Sequence, residues 1–408
     1  MRAYYLLPLG LLFVLVAESC LNRQSVSPFY GKVVSVDMDR IDDIGMSDLF
    51  DKIELTCLEN SDSTLLDSCK DLKVFVSARD SSLYYLYCDS KGIISVFDDT
   101  GRFVSSSKKR YGKGHGEYQI LMDYTYNRFT DCIDLLTPTA IVSYDLDFNH
   151  IVSTSVTQHK NCYYGKIAAV SSQMYLLEHT SVSPRRNIMY LYDREKDKVM
   201  KEISYEADVI SALTQNVSPI RRVGGCLFFS PQATSYHSYT IDTVNWTLKP
   251  IWQMDFGSRN IDSRSLKNMD EREQLDYLAF EADFPLPLRN FMDYSSLISQ
   301  IRYKQQYYTC FINLSSEKEA IVSNVVLVAN KMKDNKKLPL FSHFDGKVLY
   351  ALAPYSSVVE MTNQSMLNED LPCGNPRVEE RNPVVIKYYV RGRMKKIEYS
   401  LPSEVYGH

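Results

Sequence analysis

Short apolar and alternating runs, each closed by a turn, dominate the pattern of hydrophobic and polar positions along this chain. Ile94-Ser-Val-Phe-Asp98 is followed by a return strand at Arg102-Phe-Val104, and Ile141-Val-Ser-Tyr-Asp145 by one at His150-Ile-Val152. The same unit recurs as Met189-Tyr-Leu-Tyr-Asp193 with Lys198-Val-Met200, and as Ser238-Tyr-Thr-Ile-Asp242 with Thr247-Leu-Lys249. Alternation at period two places successive side chains on opposite faces of a strand. The Asp that ends each run accepts backbone amides of the turn that follows, with Gly101 supplying positive φ in the first. Asp98, Asp145, Asp193 and Asp242 are therefore read as turn builders, not as metal ligands or acids. Their separations of 47, 48 and 49 residues match one propeller blade of four antiparallel strands.

Ahead of these hairpins lie apolar runs suited to strands buried between blades, among them Val74-Phe-Val76, Leu83-Tyr-Tyr-Leu-Tyr87, Ile133-Asp-Leu-Leu136 and Cys226-Leu-Phe-Phe229. After Asp242 the period breaks. Residues 261–283 carry Leu266, Met269, Leu275 and Leu278 among charges after Ser263, which predicts a capped amphipathic helix stopped by Pro285 and Pro287. Strands resume at Tyr307–Ile312, Val322–Ala329, Lys347–Leu352 and Val384–Val390. The prediction is an all-β fold: one six-bladed β-propeller of four-stranded antiparallel blades over residues 31–400, with a short helical insertion at about 261–283. The early strands, Lys32–Val36 and Ile53–Cys57, are expected to close the ring by pairing with the strand near Val384–Val390, which removes an exposed edge.

The N-terminus differs in kind from this body. Arg2 precedes a 12-residue apolar stretch from Leu6 to Ala17, too short to span a bilayer, and Ala17-Glu18-Ser19-Cys20 follows. This is similar to a bacterial lipoprotein signal, which implies a signal peptide at residues 1–19, acylation of Cys20 and a tether over residues 20–30. The membrane is then a partner through the N-terminal lipid anchor, and the expected location is the cell envelope, as an outer-membrane lipoprotein facing periplasm or cell surface.

Composition narrows the function classes. Fifty acidic against 46 basic side chains leave a net charge of −4, which argues against a nucleic-acid partner. Thirty tyrosines against two tryptophans suit pleated surfaces. The eight cysteines after Cys20 show no C-x-x-C and no His at zinc-ligand spacing, so neither a metal nor another cofactor is expected. Cys57 and Cys69 are candidates to pair across a short loop, though a large β fold does not require it.

One motif stands out: Arg110-Tyr-Gly112-Lys-Gly114-His115-Gly116-Glu117-Tyr118. Its G-x-G-x-G spacing differs from a dinucleotide fingerprint, and no Lys-Ser/Thr pair follows the last glycine. Gly112, Gly114, His115, Gly116, Glu117 and Tyr118 are read as a tight inter-blade loop, with ligand binding as the alternative. Nothing near His115 in sequence supplies a nucleophile, and no residue is assigned as catalytic.

The run Gly92–Val104, with Phe97, Asp98, Gly101, Phe103 and Val104 in the pattern G-x-I-x-x-F-D-x-x-G-x-F-V, precedes Gly112–Tyr118, where His115 replaces a usual proline. Together with Asn382-Pro-Val-Val-Ile386 it resembles bacterial six-bladed β-propeller lipoproteins related to NHL-repeat proteins. The resemblance implies architecture and export, with no substrate. Three functions follow as expectations. The first is a binding module for a glycan, peptide or envelope protein, with Tyr124, Tyr126, Tyr163, Tyr164, Tyr236 and Tyr239 as candidate stacking residues. The second is a hydrolase or lactonase with an axial site, for which converging Asp, Glu or Asn side chains are the requirement. The third is a scaffold subunit of an outer-membrane complex, using the insertion and the basic run Asn330–Lys337. A non-enzymatic role is the expectation.

Overall fold

The structure is a computed structural model that describes residues 31–61, 64–156, 164–179, 188–205, 218–231, 235–261, 266, 269–317, 320–329, 338–363 and 381–391. Six sheets form a β-propeller. Blade 1 holds β3 (Cys69–Val76), β4 (Leu83–Asp89), β5 (Ile94–Asp98) and β6 (Phe103–Ser106). Blade 2 holds β7 (Asp123–Asn127), β8 (Cys132–Leu136), β9 (Ala140–Tyr144) and β10 (His150–Ser155). Blade 3 holds β11 (Tyr164–Ala169), β12 (Met174–His179), β13 (Ile188–Asp193) and β14 (Lys198–Ser204). Blade 4 holds β15 (Ile220–Val223), β16 (Cys226–Phe229), β17 (His237–Asp242) and β18 (Thr247–Asp255). Blade 5 holds β19 (Leu286–Met292), β20 (Ser296–Tyr303), β21 (Gln306–Glu317) and β22 (Ala320–Ala329). Blade 6 holds β23 (Phe341–Phe344), β24 (Val348–Ala353) and β25 (Val384–Val390), completed by β2 (Phe50–Cys57) from the start of the chain.

The middle strands are buried on both faces, and alternation decides which neighbour each side chain meets. In β4, Tyr85 and Tyr87 pack toward blade 6 with Val348, Tyr350 and Val385. Leu86 and Cys88 of the same strand pack toward blade 2 with Ile133, Leu135 and Val142. Comparable apolar clusters lie between blades 2 and 3 around Tyr175 and Tyr190, and between 3 and 4 around Leu176, Leu191 and Phe229. The ring continues between 4 and 5 around Trp252, Leu297 and Cys310, and between 5 and 6 around Phe291, Phe311, Phe341 and Ile386. The hydrophobic core is thus a ring of interfaces around a separate axis.

Closure uses β2, antiparallel to β25 from Phe50↔Val390 to Cys57↔Val384. The first early strand behaves differently from the expectation. β1 (Lys32–Ser35) runs parallel to β18, from Lys32↔Trp252 to Ser35↔Asp255, and makes blade 4 five-stranded. Between them the chain passes blade 5, where Asp42 donates its amide to the Leu327 carbonyl and accepts the Leu327 amide on its carboxylate at 2.9 Å. Residues 32–57 therefore cover the outer edges of blades 4, 5 and 6 in turn, satisfying edge groups that would otherwise recruit another strand. A short helix α1 (Met46–Leu49) buries Met46 and Leu49 on the way.

The insertion contains a shorter helix than the pattern predicts. α2 (Glu271–Asp276) starts at Asp270, whose carboxylate caps the Glu273 amide while Glu273 returns the bond to the Asp270 amide. It widens into a π-helical turn at Tyr277–Glu281. Ser263 lies outside the described residues. Leu266 and Leu278 seat the insertion against Phe284 and Leu286 at the start of blade 5. A third helix, α3 (Tyr355–Asn363), follows β24.

Cys57 is disulfide-bonded whereas Cys69 is a free thiol, so these two do not pair with each other. Because Ile386 is fully buried in the closing strand, Ile386→Ala should lower the stability of the whole ring by about 2–5 kcal/mol. Urea unfolding should show one cooperative transition at lower midpoint; a separate early transition of blade 6 alone would contradict ring-wide coupling.

Candidate functional site

The innermost strands β3, β7, β11, β15, β19 and β23 surround the axis, and they carry charge where a buried strand is usually apolar. Lys73 reaches from blade 1 to blade 2, where its Nζ lies 2.6 Å from Asp123 Oδ1, 4.2 Å over the Tyr124 ring, and donates to the Tyr124 carbonyl. The second Asp123 oxygen accepts the Ile167 amide of blade 3 at 3.0 Å. One buried ion pair thus ties three blades together. Asp71 is 4.0 Å from Lys73, and Lys166, Arg221, Arg289 and His343 complete the axial set.

Local backbone geometry positions this set. Four of the six inner strands contain a β-bulge, with Lys70, Gly165, Leu288 and Ser342 as the extra residues. The residue after each is Asp71, Lys166, Arg289 and His343, respectively. A bulge bends a strand and re-aims the next side chain. The recurrence explains how charged groups from different blades come to share the axis.

The charges perturb each other. Burial raises the Asp71 pKa, against the pull of Lys73 and Lys166. Burial pushes on Asp123 in the same sense, but Lys73 and Lys166, with the hydrogen bonds from Lys73 and the Ile167 amide, hold it below the usual carboxylate value. Burial opposes the charge of Arg221 and Arg289. His343 is driven down to about 3 by burial, then by Arg221 and Lys73, and it is neutral at physiological pH. Among the described residues four cations, Lys73, Lys166, Arg221 and Arg289, share the axis with two carboxylates, Asp71 and Asp123, inside a chain of net charge −4.

A cavity of about 580 Å³ opens along this axis. Its walls include Asp71, Lys73 and Arg221 within, and Tyr126, Arg128 and Arg222 toward the rim. The rim is formed by the turns joining the first and second strands of blades, such as Ser77–Ser81, Gly224–Gly225 and Asp345. Tyr126 is held rigidly: its ring stacks on Phe75 at 3.9 Å, its hydroxyl donates to Asp131 at 2.6 Å and accepts the Ala78 amide at 2.6 Å. Asp345 is occupied by the Lys347 and Val348 amides and the Tyr350 hydroxyl.

The residues singled out in sequence lie elsewhere. Asp98 accepts the Thr100 and Arg102 amides, Asp145 those of Asp147 and Asn149, Asp193 those of Glu195 and Lys196, and Asp242 those of Val244 and Asn245. All four organise third-to-fourth-strand turns. Gly101, at φ +86°, leaves no room for a side chain, since a Cβ would sit 2.1 Å from the Cys57 carbonyl oxygen at the closing strand.

The Arg110–Tyr118 loop joins blades 1 and 2 between β6 and β7, at the end of the ring opposite the cavity rim. The Glu117 carboxylate fills it, accepting the Gly114 amide at 2.7 Å and lying where a Cβ on Gly112 would fall. Gly116 sits at φ +67°, with its carbonyl taken by Tyr144 and its Cα side blocked by the His150 ring. Tyr118 is buried and reaches the Gly92 carbonyl and Ser107. His115 meets His150 edge-on at 5.0 Å. These contacts leave the loop no open phosphate cradle.

Of the candidate tyrosines, Tyr126 lines the cavity, while Tyr124, Tyr164, Tyr236 and Tyr239 are buried in blade packing. Tyr163, Cys20 and the run Asn330–Lys337 lie outside the described residues. The axial set was missed because its members are scattered one or two to a strand over six strands. A signal existed: a charge inside the first strand of successive units, as in Asp-Leu-Lys73-Val, Gly-Lys166-Ile, Ile-Arg221-Arg-Val and Leu-Arg289-Asn. Among the described residues no three His, Cys, Asp or Glu side chains are grouped so as to hold a metal ion.

A ring of six blades around a charged axial cavity defines a six-bladed β-propeller. The chain belongs to the family called domain of unknown function DUF4934, whose model matches residues 32–389. No curated protein matches it in sequence. Among solved structures it is similar to a Bacteroides fragilis protein described as a "putative exported protein", at 15% identity and TM-score 0.69, over 88% of this chain and 100% of that one. It is more distantly similar to the WD40 domain of Neurospora crassa Pan2, at 10% identity and TM-score 0.34 over 68% of each chain. The Toxoplasma gondii coronin WD40 domain matches at 8% identity and TM-score 0.36, over 84% of this chain and 88% of that one.

The neutral His343, partly enclosed beside the axis, has a consequence for acid stability. In the unfolded chain imidazole protonates near 6.5, in the folded one only near 3, so unfolding takes up a proton between these values. Its contribution is complete above 6.5 and is lost as pH falls toward 3. His343, which touches Tyr350 edge-on and lies near Arg221 and Lys73, is replaced in His343→Gln by a side chain that does not titrate. The variant should lose less stability than the parent between pH 7 and pH 4, by up to about 3 kcal/mol in urea titrations. Equal losses would mean that His343 is not held neutral.

Proposed function

We propose that this protein is an exported, lipid-anchored binding module of the bacterial cell envelope, whose ligand enters the axial cavity at the Tyr126–Arg222 rim. The observation that carries the reading is the cavity itself: about 580 Å³, walled by five blades and supplied with converging polar groups. That volume lies in the range of small-ligand sites. The rigid Tyr126 ring at the rim and the polar wall residues Ser77 and Ser342 suit a sugar or a short polar peptide. Asp123 is committed to structure, since Lys73 and the Ile167 amide hold its two oxygens.

Export is supported by two features. The apolar stretch Leu6–Ala17 before Cys20 has the form of a lipoprotein signal, and Cys57 is in a disulfide, which persists in oxidising compartments. The "putative exported" description of the Bacteroides fragilis protein agrees with this. Lipid attachment at Cys20 is tested by Cys20→Ala: the variant should partition to the soluble fraction and lose labelling by a fatty-acid analogue. Retention in the membrane fraction with label intact would refute the anchor.

The cavity is tested by titrating the purified protein against a glycan and peptide panel, then repeating with Tyr126→Ala and Arg128→Glu. A saturable ligand whose affinity falls roughly tenfold in either variant, about 1.4 kcal/mol, supports the axial site. Affinity untouched by both variants would place recognition on another surface and favour the glycan- or protein-docking role of an outer loop.

A further inference from the structure

We propose that the floor of the axial cavity is an oxyanion site anchored by Arg221, which receives the carboxylate or sulfate group of a small polar ligand. This deepens the cavity reading above and rests on it.

Among the described residues no carboxylate pairs directly with Arg221. Its Nε donates to the Ser218 carbonyl at 3.2 Å, and its guanidinium lies 4.1 Å over the Phe291 ring. Nη1 and Nη2 are both buried and meet no hydrogen-bond acceptor. A guanidinium carries five N–H donors and stays protonated in proteins, so burial without acceptors is costly. The neighbouring charges do not compensate. Asp71 attracts it, but Asp71 is shared with Lys73, Lys166 and Arg289, and Arg289 repels Arg221 directly. Asp123 is already paired with Lys73 at 2.6 Å. A neutral acceptor could take the free N–H groups but would not balance the guanidinium charge. An oxyanion does both, and the planar fork of arginine matches the two oxygens of a carboxylate or sulfate.

The surroundings define the rest of the ligand. Above the floor, the cavity has room for a molecule of about monosaccharide to disaccharide size. Because Nη1 and Nη2 are buried, binding of the anion requires side chains of the floor to rotate aside. The guanidinium then exchanges an unanswered burial for charge-assisted hydrogen bonds.

The test uses the full chain in detergent, in low-salt buffer, with glucuronate, glucose 6-sulfate and glucose as probes. Calorimetric titration and thermal melts are read for the parent, Arg221→Met and Arg128→Glu. The proposal expects one or both anionic sugars to bind saturably and raise the melting temperature, glucose to bind at least tenfold more weakly, and Arg221→Met to abolish the difference. It also expects Arg221→Met, without ligand, to melt no lower than the parent, since it removes a buried charge and keeps the packing on Phe291. A carboxylate source and a sulfate source are told apart by which sugar binds more tightly. Equal binding of glucose and the acids, or anion binding unchanged in Arg221→Met, overturns the oxyanion site. If that binding still falls in Arg128→Glu, the cavity reading survives. No stabilisation by either acid, with Arg221→Met melting well below the parent, would make Arg221 a structural residue and also overturns the proposal. Failure of both acids to bind with an unaltered melt does so equally.

Discussion

The pairing of β2 with β25 is the interaction on which the rest of this structure depends. Without it blade 6 has three strands, an open edge and nothing to hold it against blade 1 except one face of packing. With it, residues more than 300 positions apart in sequence become neighbours, as in Cys57 opposite Val384. The chain extends the same logic outward: residues 32–45 cover the edges of blades 4 and 5 before the closing strand begins. Closure also sets the geometry of the axis, because six inner strands can converge only when the ring is complete.

Convergence forces charges together that no local rule would assemble. Lys73, Asp123 and the Ile167 amide come from three blades and form one clamp. Removing either partner of such a buried pair would leave an uncompensated charge, commonly a loss of about 3–5 kcal/mol. The clamp consumes Asp123, which leaves Asp71 as the other axial carboxylate among the described residues. The bulges at Lys70, Gly165, Leu288 and Ser342 show that the placement is specific, since each precedes an axial side chain. A positive interior in a chain of negative net charge concentrates its attraction for anions at one place.

The Gly112–Tyr118 loop shows why a conspicuous motif need not be a site. Its glycines give room to the Glu117 carboxylate and the His150 ring, and its tyrosine braces blade 1. The cavity rim, at the other end, is built of turns whose sequences are unremarkable. Tyr126 acquires its role from Phe75, Asp131 and Ala78, which fix the ring at the opening.

The repeat of aspartates and the two-faced apolar runs were legible in the chain because turn chemistry and strand alternation are local. Asp98, Asp145, Asp193 and Asp242 each bind amides within a few residues, and Tyr85 to Cys88 alternate between two cores as their spacing requires. From these the number of blades and the closing strand followed. The separate course of β1, the shortened helix at Glu271–Asp276 and the axial charges did not. β1 pairs in parallel with a strand more than 200 residues away, which no hairpin signal announces. Asp71, Lys166, Arg221, Arg289 and His343 look like isolated polar interruptions of five strands, and only closure of the ring turns them into one electrostatic site, because Coulomb interactions act through space and not along the sequence.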